Sequence, residues 1–129
     1  MGGQEAVVVR WEEGETLVRW ARGSGDLVEK RFGVVPRAVV AWGGHVLVVE
    51  AMPPDGAPKD NAVVFGADGA ERVRLRPPPT AGGPHDVIGF HTAYLDASGP
   101  LVVVATRVGD LWGRVDLRAG ILVDVRTWR

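Results

Sequence analysis

Hydrophobic and polar residues alternate with a period of two along most of the chain, a pattern typical of half-buried β-strands. The alternation is clearest at residues 7–11, 16–21 and 71–76. Turn residues separate these segments, and the Gly43-Gly44 pair is a strong signal for a two-residue hairpin. No window has a period of 3.6, and 18 glycines and 9 prolines leave no place for a long helix. The sequence therefore predicts an all-β protein built from antiparallel meander sheets.

Three units follow one another along what we predict to be a single domain of residues 1–129: residues 5–33, 38–76 and 87–128. The second and third units share one order of strand, tight turn, β-branched strand, loop, strand, glycine turn and strand. They are interpreted as two copies of one structural unit. Between them, residues 77–84 contain three consecutive prolines, which cannot donate to a strand ladder and favour an extended chain. This segment is predicted to be a semi-rigid connector.

The two copies end in similar motifs. Residues 63–69 (VVFGADG) precede the strand at 71–75, and residues 114–120 (RVDLRAG) precede the strand at 121–125. A four-stranded meander with this ending resembles a blade of a β-propeller, and the resemblance covers most of residues 38–128. It is a resemblance of architecture, since no Trp-Asp dipeptide closes a blade and no kelch-type Gly-Gly motif recurs in register.

Size separates the chain from a complete propeller. Propellers normally close with four or more blades, whereas this chain supplies two four-stranded units and at most three further strands. Two architectures therefore stay open. Either chains associate to complete a ring, which predicts a homo-oligomer, or the sheets of one chain fold on each other as a sandwich or open barrel.

Composition narrows the classes of function. A net charge of −1, from 15 basic and 16 acidic residues, gives no reason to expect nucleic-acid binding. The absence of cysteine excludes disulfides, thiolate zinc sites and cysteine nucleophiles. No apolar run approaches the roughly 18 residues that span a bilayer, and no signal peptide is recognisable. We therefore expect a cytoplasmic protein without a membrane partner, and we attribute its preference for arginine over lysine to a GC-rich, bacterial genome.

Groups suited to catalysis or metal binding are few. Ser24 and Ser98 both lie in glycine-flanked turns rather than in a nucleophile elbow. On a continuous strand, His85 and His91 would project from the same face, with Asp86 beside them. No third ligand stands at a spacing that suits zinc, so these residues are interpreted as hydrogen-bonded loop residues. The sequence predicts no catalytic residue, no metal and no cofactor, and a metal-dependent hydrolase is the least favoured alternative.

Two groups of residues are candidates for binding a partner. Arg72, Arg74 and Arg76 place three guanidinium groups along one face of one predicted strand, an arrangement suited to bidentate capture of carboxylates or phosphates. The second group lies in the C-terminal strands, on the faces opposite the apolar stripes of residues 111–115 and 121–125. Its members are Trp112, Arg114, Arg126 and Trp128.

These features favour a non-catalytic protein-interaction module, of which an inhibitor or immunity protein is one form. Its expected partner is another protein or a second copy of the chain. The alternative is a β protein that binds a small molecule or carbohydrate in a groove lined by tryptophans between its sheets.

Overall fold

The computed structural model describes residues 6–127, and within this range the prediction of an all-β chain is confirmed. The described residues form no α-helix and one 3₁₀ turn at Pro84–Asp86. The strands are β1 (Val7–Arg10), β2 (Leu17–Arg22), β3 (Leu27–Arg31), β4 (Ala38–Trp42), β5 (His45–Val49), β6 (Ala62–Gly66), β7 (Glu71–Arg74), β8 (Val87–Asp96), β9 (Gly99–Thr106), β10 (Gly109–Asp116) and β11 (Ile121–Thr127).

The strands form three antiparallel meander sheets. The N-terminal sheet has the order β1-β2-β3, the central sheet β4-β5-β6-β7 and the C-terminal sheet β11-β10-β9-β8. Neighbours in each sheet are also neighbours in sequence. The connections within a sheet are short, except for the loop at residues 50–61 between β5 and β6. The Gly43-Gly44 hairpin illustrates the local cause. Both glycines have positive φ, of 50° and 78°, which is what a tight turn matching the twist of β4 and β5 requires.

The three sheets are stacked face to face, with the central sheet in the middle. One core fills the space between the central and C-terminal sheets and includes Leu47, Val64 and Phe90. A second core lies between the N-terminal and central sheets and includes Trp20 and Val63. Because β5 and β6 are covered on both sides, nearly all of their residues are buried. The stack is open in the part of the chain that the structure describes, as an open sandwich or an incomplete set of propeller-like blades would be.

Two hydrogen bonds between sheets accompany this apolar packing and restrict how the sheets are aligned. The indole Nε1 of Trp20 donates to the carbonyl oxygen of Ala67 over 2.9 Å, which joins the N-terminal sheet to the turn after β6. The backbone N–H of Arg76 donates to the carbonyl oxygen of Gly120 over 2.9 Å, which joins the central sheet to the turn before β11. Both polar groups are satisfied where two sheets meet, so these bonds help to fix the register between layers.

A β-bulge in β11 changes which of its residues face the core. Trp112 pairs with Arg126 and Arg114 with Val123, so β11 contains one residue more than β10 over this interval. Asp124, inside it, has a φ of 55°. The prediction of an alternating apolar stripe over residues 121–125 is therefore wrong. Leu122 and Val125 pack into the core, whereas Val123 faces outwards, because the inserted residue shifts the alternation by one position.

Candidate functional site

The outer face of the C-terminal sheet is not covered by another of the three sheets, since the central sheet packs against the opposite side. Strand register places two rows of residues across this face. We call the surface they form the C-terminal face. It consists of Thr92, Val103, Trp112 and Arg126 in one row and Tyr94, Leu101, Arg114 and Val123 in the other.

Trp112 lies at the centre of the C-terminal face, between two guanidinium groups. The Cζ atoms of Arg114 and Arg126 each lie 5.8 Å from the centroid of the indole ring. A cation at this distance from an aromatic ring is attracted by the ring quadrupole. Trp112 itself is half-buried, and its register partner Val103 is fully shielded from solvent. The indole is thus held in place while part of it is accessible.

Arg114 is fixed by a bidentate ion pair with Asp96, the last residue of β8. Its Nη2 lies 2.8 Å from Oδ2 of Asp96 and its Nη1 lies 3.0 Å from Oδ1. Nη1 also lies within 3.2 Å of the carbonyl oxygen of Gly99. The hydrogen bonds from Arg114, assisted by the N–H of Ser98, hold the pKa of Asp96 below its ordinary value. Asp96 therefore neutralises Arg114 and orients it.

Arg126 differs from Arg114 in having no carboxylate at ion-pair distance among residues 6–127. Its side chain is exposed and contacts Trp112 through the guanidinium. The structure thus brings together three of the four members of the predicted C-terminal group. The fourth, Trp128, lies outside the described residues.

The predicted arginine stripe has a different environment, because each of its members contacts another part of the chain. Arg74 forms an ion pair with Glu50, at 2.6 Å between Nη1 and Oε1, and donates to the carbonyl oxygen of Asp60. The hydrogen bond with Glu50 raises the pKa of Arg74 above its ordinary value. The stripe does not present three unengaged guanidinium groups.

The other two stripe residues make weaker contacts. Arg72 lies 3.6 Å from Asp68, and its guanidinium packs so closely over Gly66 that a Cβ atom there would lie 2.4 Å from Nε. Arg76 donates through Nη2 to the carbonyl oxygen of Ala119 over 3.0 Å. Both side chains are exposed at one edge of the central sheet. Arg72 thus contacts the turn between β6 and β7, and Arg76 contacts the turn between β10 and β11.

The histidine cluster is not arranged as a continuous strand would arrange it. His85 belongs to the 3₁₀ turn, and β8 begins only at Val87 and carries register shifts on both sides of Gly89. His91 contacts Arg37 instead, whose Nη2 lies 3.0 Å from its Nδ1. Residues 6–127 contain no group of three or more acidic or histidine side chains that could hold a metal ion.

The two serines occupy turns, as expected from their glycine neighbours. Ser24 Oγ lies 3.3 Å from a carboxylate oxygen of Asp26, and the backbone N–H of Ser98 donates to Oδ1 of Asp96. Both side chains are exposed. The hydrogen bonds are those with which serine and aspartate stabilise a turn.

A cavity of about 1000 Å³ lies beside the start of β8 and was not predicted from the sequence. Its walls come from the proline-rich loop at residues 53–59, from residues 77–80 and 83–84 of the connector, and from Arg107 after β9. The prolines indicate that both segments are rigid and apolar, but no local pattern in the sequence indicates that the two segments face one another. None of the described tryptophans lines this cavity.

Comparison with known proteins gives no indication of identity. No protein-family model, no curated protein and no solved structure matches the chain. Among the described residues, no helix has the length and apolar character needed to cross a membrane.

Proposed function

We propose that the protein is a non-catalytic interaction module that binds another protein through the C-terminal face. The observation that carries this proposal is Trp112, which contacts Arg114 and Arg126 on a sheet face that neither of the other two described sheets covers. Tryptophan and arginine are the residues most enriched where protein interfaces concentrate their binding energy. An inhibitor or immunity protein is one form that such a module takes.

The form of the surface suits a macromolecule. Four strands spaced about 4.8 Å apart make the face roughly 14 Å wide, and its two rows extend from β8 to β11. Small ligands are usually enclosed in concave pockets, whereas protein partners cover broad surfaces of this kind. Two side chains near the central indole offer further apolar contact to a partner. They are Tyr94, which is 52% exposed, and Val123, which is 37% exposed.

Charge indicates the chemistry of the partner. Arg114 already has its counter-ion in Asp96, whereas Arg126 has none among the described residues. A carboxylate on the partner would satisfy Arg126 with charge-assisted hydrogen bonds. Since Asp96 and Trp112 already restrict the two guanidinium groups, little side-chain freedom is lost on binding. We therefore infer a protein partner that presents an acidic residue beside apolar side chains.

The test is photo-crosslinking from the C-terminal face in cells of the source organism. Tyr94 is replaced with p-benzoylphenylalanine, which reacts on irradiation with a bound neighbour. The proposal expects one covalent adduct with another protein, and a yield that falls about tenfold or more with Arg126→Glu, because this substitution places like charges opposite each other. The same partner, once purified, is expected to bind the wild-type chain in calorimetry.

Two controls make the result specific. The photoreactive residue at Val8, which is 60% exposed on the N-terminal sheet, is expected to give no such adduct. Arg72→Glu makes the same charge reversal at an exposed arginine of the central sheet. It is expected to leave the crosslinking yield unchanged. An adduct with a second copy of the chain would overturn the proposed partner in favour of self-association. The absence of any adduct from Tyr94, or an adduct insensitive to Arg126→Glu, would overturn the proposed surface.

A further inference from the structure

The proline-lined cavity is built from two chain segments, each of which is braced by hydrogen bonds within itself. Within the loop, the N–H of Ala57 and Nζ of Lys59 each donate to the carbonyl oxygen of Pro54 over 3.1 Å. Within the connector, Thr80 donates through Oγ1 to the carbonyl oxygen of Gly83 over 2.8 Å and receives a bond from its N–H. Because these segments are braced by their own hydrogen bonds, the cavity exists without a ligand, as binding sites usually do.

Its walls are mainly apolar. The rings of Pro53, Pro58 and Pro77 line it, and Val87 and Ile88 contribute aliphatic surface from the start of β8. Ile88 is 39% exposed, so this wall is accessible to a ligand. Proline rings pack well against aromatic rings, which is the contact used when proline-rich segments dock in aromatic-lined grooves. A flat aromatic body would match these walls.

The polar side of the cavity is basic. Arg107 is anchored at its base, where its backbone N–H donates to the carbonyl oxygen of Asp86 over 2.8 Å and its Nε donates to that of His85 over 3.0 Å. Its two terminal nitrogens have no acceptor among residues 6–127. Lys59 adds a second positive charge, and Asp55 is the one carboxylate among the described residues that line the cavity. This balance favours an anion, and the free edge of a guanidinium suits a carboxylate.

We propose that the cavity is a binding site for a small organic anion with an aromatic body, whose carboxylate pairs with Arg107 while its ring lies against the prolines and Ile88. The proposal is independent of the C-terminal face, since the two surfaces share no residue. A binding module with both features would engage a protein at one surface and a small ligand at the other.

The test compares two probes of nearly the same size and shape that differ in one group: indole-3-acetate, with a carboxylate, and indole-3-acetamide, with a neutral carboxamide. Each is titrated into the ¹⁵N-labelled full chain, and binding is followed by backbone amide shifts. The expected result is saturable binding of the acetate, about tenfold or more tighter than the amide, as a charge-assisted hydrogen bond would give. The shifts are expected at cavity residues such as Gly56, His85 and Ile88.

Variants separate the charged contact from the apolar one. Arg107→Gln is expected to remove the preference for the acetate, and Ile88→Gln to weaken both probes. Arg118→Gln changes an exposed arginine outside the cavity and is expected to alter neither. Thermal melting and the amide spectrum verify that each variant is folded. The proposal is overturned if neither probe gives saturable shifts at millimolar concentration, if the shifts lie elsewhere, or if the acetate keeps its preference in a folded Arg107→Gln protein.

Discussion

Asn61 and Phe90 are paired through a side chain in the way that neighbouring strands pair through their backbones. The N–H of Phe90 donates to Oδ1 of Asn61 over 2.8 Å, and Nδ2 of Asn61 donates back to the carbonyl oxygen of Phe90 over 2.9 Å. Nδ2 also lies 3.1 Å from the carbonyl oxygen of Glu50. The carboxamide is buried, and it joins the start of β6 to the irregular part of β8. A single side chain thus satisfies backbone groups from two sheets.

The first prediction is that Asn61→Ala destabilises the protein by about 3 kcal/mol, because several buried backbone groups lose their partner and each costs about 1–3 kcal/mol when unsatisfied. Urea unfolding followed by tryptophan fluorescence measures the change. Ser24→Ala, in an exposed turn, serves as the control and is expected to change stability by less than about 0.5 kcal/mol. A loss below about 1 kcal/mol for Asn61→Ala would contradict the proposed role of the carboxamide.

Features that depend on residues close together in sequence were predictable, whereas features that depend on distant residues were not. The Gly43-Gly44 hairpin was predictable because the two glycines themselves supply the positive φ that the turn needs. The role of Asn61 was not predictable from the sequence, because its partner Phe90 lies 29 residues away in another sheet. Local patterns determine strands and turns, whereas contacts between layers depend on the stacking of the sheets.

In the candidate site, too, the local contacts were predictable from the sequence and the contacts between distant residues were not. Trp112 and Arg114 share a strand two residues apart, so alternation alone placed them on one face, and strand pairing then brought Arg126 beside them. The arginine stripe was less predictable, because the partner of Arg74 is Glu50, 24 residues earlier in the chain. The local signal for the bulge at Asp124 is weak, because aspartate adopts positive φ more readily than most residues but the apolar residues before it predict an unbroken strand.

The second prediction concerns Gly113, which lies on the core side of β10 opposite the bulge. A Cβ atom there would lie 3.0 Å from Cβ of Leu122 and 3.1 Å from Cγ2 of Val125, so the strands would have to separate. Gly113→Ala is expected to cost about 2 kcal/mol, as overpacking of a core does. Gly33→Ala is the matched control, because Gly33 has no atom within 4 Å of the added carbon. Equal urea midpoints for the two variants would show that Gly113 is not tightly packed.

The third prediction is that the ion pair between Arg74 and Glu50 stabilises the folded protein. Its ion pair with Glu50 is partly buried and bidentate, so a coupling free energy of about 1 kcal/mol is expected, at the upper end for such pairs. A double-mutant cycle with Arg74→Gln and Glu50→Gln, measured by urea unfolding, gives this value. The pair of Arg72 with Asp68 is longer and more exposed, and its coupling is expected to be near zero. Indistinguishable couplings for the two pairs would argue against a structural role specific to Arg74.

The fourth prediction is a loss of stability in acid that depends on Asp96. Arg114 stabilises the carboxylate of Asp96 in the folded protein, so its pKa is lower folded than unfolded, where it is near 3.8. A lowered folded pKa means that the unfolded chain binds a proton first as the pH falls. The stabilisation is therefore complete above about pH 5 and is lost as the pH falls through 3.8 and then through the lowered folded pKa.

Two measurements check this prediction. A carboxyl-detected NMR titration of the folded protein is expected to give Asp96 a pKa below 3.8, and Arg114→Gln is expected to move it back towards that value. Melting temperatures between pH 7 and pH 2.5 are expected to fall less steeply in Asp96→Asn than in the wild type, because the variant has no proton to bind at this position. Since Asp68 has a lowered pKa for another reason, a hydrogen bond from the N–H of Ala70, part of the acid sensitivity persists in Asp96→Asn. An Asp96 pKa unaffected by Arg114→Gln would show that the turn around Ser98, rather than the guanidinium, stabilises the charge.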